Sequence, residues 1–277
     1  MRKTAVAGSF YPENKNELEI VLDKYLAKAH TKYSKSETEA IGGICPHAGY
    51  MYSGETAAIT YASIKNLKNA ETLVMLGPNH TGCGTPVSIS IQDWETPLGI
   101  AKCDVELAKR IQTNSRIIKF DESAHAYEHS IEVQIPFIQK INPKAKIVCI
   151  CMMNQDYQTS REIGIALAKT LDVERHIVIA SSDFSHYIPA NAAEEKDKNA
   201  LKYIEALDTE NFQRALEKYD WSICGYGPIS ALMEYAKTKE IKKGKTLAYT
   251  NSGEVSGDFA AVVGYASVIF PKKIEDR

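Results

Sequence analysis

Apolar and polar positions along the chain follow two alternating periods. Short continuous apolar runs stand at 41–45, 72–76, 146–152 and 176–180, and an alternating run at 87–91. Runs of this kind, bounded by turn residues, mark strands buried on one or both faces. Between them the spacing turns helical. Helices are predicted at 53–64 with Ser53 as N-cap, at 105–112, at 160–171 with Ser160 as cap, at 191–207 and at 210–219. Another, at 228–237, carries Pro228 in its first turn, where a missing N–H is tolerated. Ile131, Ile135, Ile138 and Ile141 give 130–141 a helical pattern, and Pro136 predicts a kink or break inside it. Strands at 245–250 and 260–269 close the pattern. The polar stretch 30–39 reads as a loop and the lysine-rich stretch 237–245 as a solvated helix end.

Strands alternating with helices imply a largely parallel sheet covered on both faces. No repeat, low-complexity tract or linker interrupts residues 1–277. The expected architecture is therefore α/β: a single three-layer α/β/α domain with a mixed, largely parallel sheet and an antiparallel hairpin or two.

Composition acts mainly by exclusion. Lys and Arg number 33 and Asp and Glu 35, a formal charge of −2 that lacks the basic surface nucleic-acid binding needs. No apolar run nears the roughly 20 residues of a membrane span. The first residues lead to Gly8-Ser9-Phe10-Tyr11-Pro12 rather than into an apolar signal segment. The expectation is a cytoplasmic protein with no nucleic-acid or membrane partner, whose six cysteines stay reduced.

Candidate chemistry concentrates where strands end. In open α/β sheets ligands bind beyond the carboxyl ends of the strands. Three predicted strands run into His-bearing loops: Cys45-Pro46-His47, Gly77-Pro78-Asn79-His80 and Ser182-Asp183-Phe184-Ser185-His186. Imidazole is both a metal ligand and a proton carrier near neutral pH. Asp183 reads as a ligand, as a residue orienting an imidazole, or as a turn cap. In Glu128-His129-Ser130-Ile131-Glu132, His129 and Glu132 are three apart and read as an acid–base pair or as helix capping. Cys224 precedes a predicted helix and reads as a thiolate ligand or as a core thiol. No C-x-x-C pair, phosphate-binding loop or G-x-S-x-G elbow is present.

Taken together the motifs resemble those of the Memo family, nearly end to end. They run from Val6-Ala7-Gly8-Ser9-Phe10-Tyr11-Pro12 through Pro46-His47-Ala48-Gly49-Tyr50, Gly77-Pro78-Asn79-His80 and Glu128-His129-Ser130. They continue through Ser182-Asp183-Phe184-Ser185-His186 and Cys224-Gly225 to Asn251-Ser252-Gly253-Glu254, Gly257-Asp258 and Val263-Gly264-Tyr265. The resemblance implies a fold similar to the class III extradiol dioxygenases, which are non-haem iron enzymes. It implies that His47, His80 and Cys224 occupy metal-ligand positions, with Asp183 and His186 nearby. A thiolate then replaces the carboxylate of the ring-cleaving enzymes, which changes metal preference and redox potential. The resemblance also implies a pathway link to a radical-SAM protein.

The leading expectation is a metal-dependent oxidoreductase with iron or copper, in which His186 acts as general acid or base, with Asp183, His129 and Glu132 beside it. One alternative is a zinc-dependent hydrolase or lyase. Another is a non-catalytic module for a small-molecule or peptide ligand, for which Tyr50, Tyr52, Tyr187 and Tyr226 would line a recognition cleft.

Overall fold

The computed structural model describes residues 1–273. In chain order the elements are α1 (Lys15–Tyr33), β1 (Ala40–Cys45), α2 (Tyr50–Ser63), β2 (Thr72–Pro78), β3 (Val87–Ile89), β4 (Trp94–Thr96) and β5 (Gly99–Ala101). They continue with α3 (Val105–Thr113), β6 (Lys119–Phe120), α4 (Ile135–Ile141), β7 (Lys146–Met152), α5 (Tyr157–Thr170), β8 (His176–Ser181) and β9 (His186–Ile188). The last are α6 (Ala190–Glu205), α7 (Thr209–Tyr219), α8 (Tyr226–Thr238), β10 (Lys245–Asn251), α9 (Gly253–Ser256) and β11 (Val262–Pro271).

Nine strands form one mixed sheet in the order β10-β11-β1-β8-β2-β7-β3-β6, with β9 pairing to β11. The centre, β1-β8-β2-β7, is parallel throughout. The strands β10, β11 and β3 join antiparallel neighbours. Both faces of the central strands are covered, which explains their unbroken apolar runs. In β2, Val74 and Leu76 pack toward α3, α5, α6, α7 and α8, while Leu73 and Met75 pack toward α1, α2 and α4. The expected α/β/α layering and largely parallel sheet are thus observed. Among the described residues no helix is long and apolar enough to cross a membrane, and all six cysteines are free thiols.

Several local expectations need correction. Helix α1 occupies residues with no predicted element and takes the first residues of the expected 30–39 loop. Leu18, Leu22, Leu26 and Ala29 bury one narrow stripe of it, and Asn14 caps it by accepting from the N–H groups of Asn16 and Glu17. Ser53 and Ser160 are not caps. Their hydroxyls donate backwards, to Ala48 O and Gln155 O, and the helices start earlier, with Gly49 and Asp156 in the N-cap positions. Residues 130–141 are not one kinked helix: a 3-10 turn over Glu132–Gln134 precedes α4, with Pro136 in the first turn of α4, where its absent N–H breaks nothing.

Candidate metal centre

The carboxyl ends of β1, β2 and β8 and the start of α8 meet at one edge of the sheet. Parallel pairing sets Cys45 of β1 beside Ser181 of β8. The residues two further along, His47 and Asp183, therefore emerge side by side, and the His47 backbone N–H donates to Asp183 Oδ1 at 2.7 Å.

Two glycines bring the other pieces in. A Cβ on Gly225 would lie 2.4 Å from the Ser181 carbonyl oxygen, so only glycine lets the chain press against the end of β8. That approach, fixed by Gly225 N–H donating to Ser182 Oγ at 2.9 Å, delivers Cys224. Its Sγ lies 3.1 Å from His47 Nε2 and accepts from the Asp183 N–H at 3.2 Å. A Cβ on Gly77 would meet Ser130 Oγ at 2.5 Å and Ile131 Cγ1 at 2.7 Å. This close contact sets the end of β2, and His80 beyond it, against the segment carrying Glu128 and His129.

The hydrogen-bond network decides which imidazole nitrogen is free. Tyr61 donates its hydroxyl to Gln134 Oε1 at 2.9 Å, so the Gln134 amide nitrogen donates to Pro46 O at 2.9 Å and Ser181 Oγ at 2.8 Å. The Ser181 hydroxyl spends its single proton on Ser130 O at 2.6 Å. His47 Nδ1, 2.9 Å from Ser181 Oγ, must then be the donor. Its Nε2 is left with a lone pair aimed at Cys224. His80 reaches the same tautomer by donating Nδ1–H to Glu128 Oε1 at 2.9 Å, and His186 by donating Nδ1–H to Ser222 O at 2.8 Å. A ligating histidine whose other N–H is held by a carboxylate or carbonyl is oriented and made more basic.

The donor atoms of His47, His80 and Cys224 all lie within 4.8 Å of one another. His80, Glu128 and His129 form a second group of that size. It shares His80, and its carboxylate is already taken by His80 Nδ1, His80 N–H, His129 N–H and Ser130 N–H. Glu128 is therefore the support of the first group rather than a ligand of its own.

Burial sets most of the electrostatics of this group. Burial, together with the neighbouring His129 and His80 imidazoles, holds His47 well below its ordinary pKa and keeps it neutral. Burial alone would raise Glu128, but the His80 hydrogen bond and charge and the backbone N–H donors hold it at about 2. Burial pushes Asp183 up to about 6. Burial and the adjacent Asp183 charge push the Cys224 thiol well above its usual range, so it keeps its proton, with His47 Nε2 at 3.1 Å and the Asp183 carbonyl at 3.5 Å as acceptors. A metal held there would take the place of that proton. Two imidazoles and one exchangeable thiol fit iron, copper or zinc.

A cavity of about 840 Å³ opens over this group, and His47, His80, His129, Asp183, His186 and Cys224 are among the residues that line it. Its volume lies within the range of small-molecule sites. His129 stacks on His80 with ring centroids 4.6 Å apart and is capped by Phe10 at 4.7 Å. Burial holds His129 at about 4, hence neutral.

Not every predicted residue comes to the site. Glu132 points the other way. Fully buried, it pairs with Arg2 and accepts from Tyr11 Oη at 2.5 Å and from the N–H groups of Ala5 and Val6. The predicted pairing of His129 with Glu132 on one helix face fails because residues 128–131 are not helical. Tyr52 and Tyr187 line the cavity. Tyr50 is a core residue whose hydroxyl donates to Val133 O, and Tyr226 lines a separate depression beside Trp221. Sequence reasoning missed Phe10, Ser181, Ser222 and Glu128. Only Glu128 had a readable signal, a carboxylate directly before His129.

Fold and edge together define an α/β protein with a candidate His/His/Cys centre at the strand ends. The chain belongs to the Memo-like protein family, whose model matches residues 2–269. It is 45% identical over 272 residues to a MEMO1 family protein of Methanosarcina barkeri, covering 97% of this chain and 99% of that one. It is 43% identical to one of Methanocaldococcus jannaschii, covering 97% and 98%, and 40% identical to one of Nitrosopumilus maritimus, covering 98% and 99%. Among solved structures it is similar to an uncharacterized protein of Escherichia coli K12, with TM-score 0.49, 11% identity, and coverage of 82% of this chain and 98% of that one.

Proposed function

We propose that this chain is a metal-dependent oxidoreductase acting on a small molecule, with iron or copper held by His47, His80 and Cys224. The observation that carries the reading is the convergence of those three donors within 4.8 Å beneath an open cavity. When bound, the metal supplies a redox-active Lewis acid with coordination positions left for a ligand. Glu128 and Ser181 hold the two imidazoles with Nε2 presented. Asp183 fixes the His47 backbone through one oxygen and the Cys224 sulfur through its own N–H. His186, on the cavity wall with Nδ1–H committed to Ser222, offers Nε2 as a base for a ligand proton. Phe10 and the His129 ring, in contact at 4.7 Å between centroids, form part of the cavity lining.

The test is a redox titration of protein reconstituted anaerobically with Fe(II) or Cu(I). The reading predicts one reversible couple that is shifted or abolished in Cys224→Ser. Turnover supported by zinc alone, with no redox-active form, would contradict it.

A further inference from the structure

One buried carboxylate has no part in the centre itself. Asp197, on α6, is 1% exposed and pairs with no Lys or Arg among the described residues. Its Oδ1 accepts the Ser185 N–H at 3.1 Å and the Ser185 hydroxyl at 2.6 Å. Its Oδ2 accepts the hydroxyl of Tyr249, on β10, at 2.7 Å. Gly264 of β11 lies against the same group: a Cβ there would be 2.1 Å from Asp197 Oδ2. The Gly264 N–H in turn donates to Ser185 O at 2.9 Å. A buried carboxylate without a cation is costly. Burial accordingly raises its pKa, against the pull of the Ser185 and Tyr249 hydrogen bonds. Two hydroxyls and an N–H from two other segments converge here, and an ionised carboxylate, which only accepts, suits all three.

The residue held in this way directly precedes His186. On its far side His186 is clamped by Ser222, whose Oγ accepts the His186 backbone N–H and whose carbonyl accepts Nδ1–H, each at 2.8 Å. Tyr187 follows at φ 57°. A bulky side chain keeps that left-handed conformation only where its surroundings impose it. Ile188 then pairs with Val262 of β11. The strained segment is thus pinned on both flanks, by Asp197 at Ser185 and by β11 at Ile188. Ser222 can hold the imidazole only while Ser185 keeps its place.

We propose that Asp197 is a positioning residue: through Ser185 it sets His186 against Ser222, so that the ring keeps Nδ1–H on the Ser222 carbonyl and leaves Nε2 free as a proton acceptor. The use of that acceptor in catalysis rests on the role of His186 in the proposed function. The positioning does not, and it is measured on metal-free protein. Its failure leaves the metal reading standing, and loss of the metal reading leaves the positioning standing.

The experiment is nitrogen-15 NMR of full-length protein labelled at histidine, at about pH 8, above the ordinary histidine value of about 6.5. Protonated and lone-pair ring nitrogens resonate apart, so each neutral histidine reports its tautomer. Wild-type His186 is expected to be mainly Nδ1–H. In Asp197→Asn the ratio of Nδ1–H to Nε2–H at His186 should fall about tenfold, the size of one lost hydrogen bond to a charged group. Tyr249→Phe removes one of the three donors and leaves the carboxylate, so the ratio should fall about threefold. His30 on α1 and His176 at the start of β8 should keep their wild-type signals in both variants. A merely structural role would lower the melting temperature and leave the His186 ratio alone, which overturns the proposal. So does a wild-type His186 that is mainly Nε2–H, or an equal change at His30 and His176. If Asp197→Asn does not fold, an unchanged ratio in Tyr249→Phe overturns it by itself.

Discussion

The least visible residue of the candidate centre is also one of its most constrained. Glu128 is 1% exposed and serves His80 twice, through the ring and through the backbone. Replacing it by glutamine keeps the size but removes the charge that holds the His80 tautomer. Metal affinity should fall about 10- to 100-fold in Glu128→Gln by chelator competition, with little change in fold by circular dichroism. An unchanged affinity would make Glu128 a packing residue only. The candidate ligands His47, His80 and Cys224, whose donor atoms the fold brings together, were legible in the sequence: the histidines because each closely follows a proline at a strand end, the cysteine only through family resemblance. Glu128 was hidden for a physical reason. A supporting carboxylate has no spacing rule of its own, and its neighbour Glu132 carried the more conventional helical offset from His129. Glu132 instead does structural work 130 residues away in sequence, on Arg2.

At the level of elements, the N-terminal segment is held by one buried ion pair. The Arg2 guanidinium pairs with Glu132, donates to His125 O and Glu128 O, and lies 4.4 Å from the Trp94 ring centroid. The segment it anchors carries Phe10, which caps His129 and whose carbonyl accepts from the Tyr50 N–H that opens α2. Arg2→Ala strands a buried carboxylate, so unfolding free energy should drop by about 3–5 kcal/mol in denaturant titration. A loss below about 1 kcal/mol would show that water reaches Glu132 freely. Strands β1, β2, β7 and β8 were readable because burial on both faces leaves an unbroken apolar signature. Helix α1 was not, since only a narrow stripe of Leu18, Leu22, Leu26 and Ala29 is buried and the rest is solvated. Nor were β4, β5, β6 and β9, which at two or three residues each are too short to show a period.

For the molecule as a whole, pH dependence should be set in part by His125. It is 0% exposed, and neither ring nitrogen has a hydrogen-bond partner among the described residues. Burial, followed by the Arg2 charge, lowers its pKa to about 4, with Asp121, Glu128 and the Ser88 backbone opposing. The unfolded chain takes up this proton near the ordinary histidine value of about 6.5. A base whose folded pKa is depressed stabilises the fold fully above the unfolded value and loses that contribution as pH falls. Stability should therefore decline from about pH 6.5 toward pH 4 by roughly 3 kcal/mol from this group. His125→Phe should flatten that part of the curve in thermal unfolding followed across pH. An equally steep acid limb in the variant would assign it to other groups.

The central claim is that His47, His80 and Cys224 hold one metal ion. Protein purified without air and assayed for metal by mass spectrometry tests it most directly. The expected result is about one iron or copper per chain in the wild type, lost in Cys224→Ala and in His47→Ala, with all three proteins folded. Equal, sub-stoichiometric metal in the wild type and Cys224→Ala would contradict it.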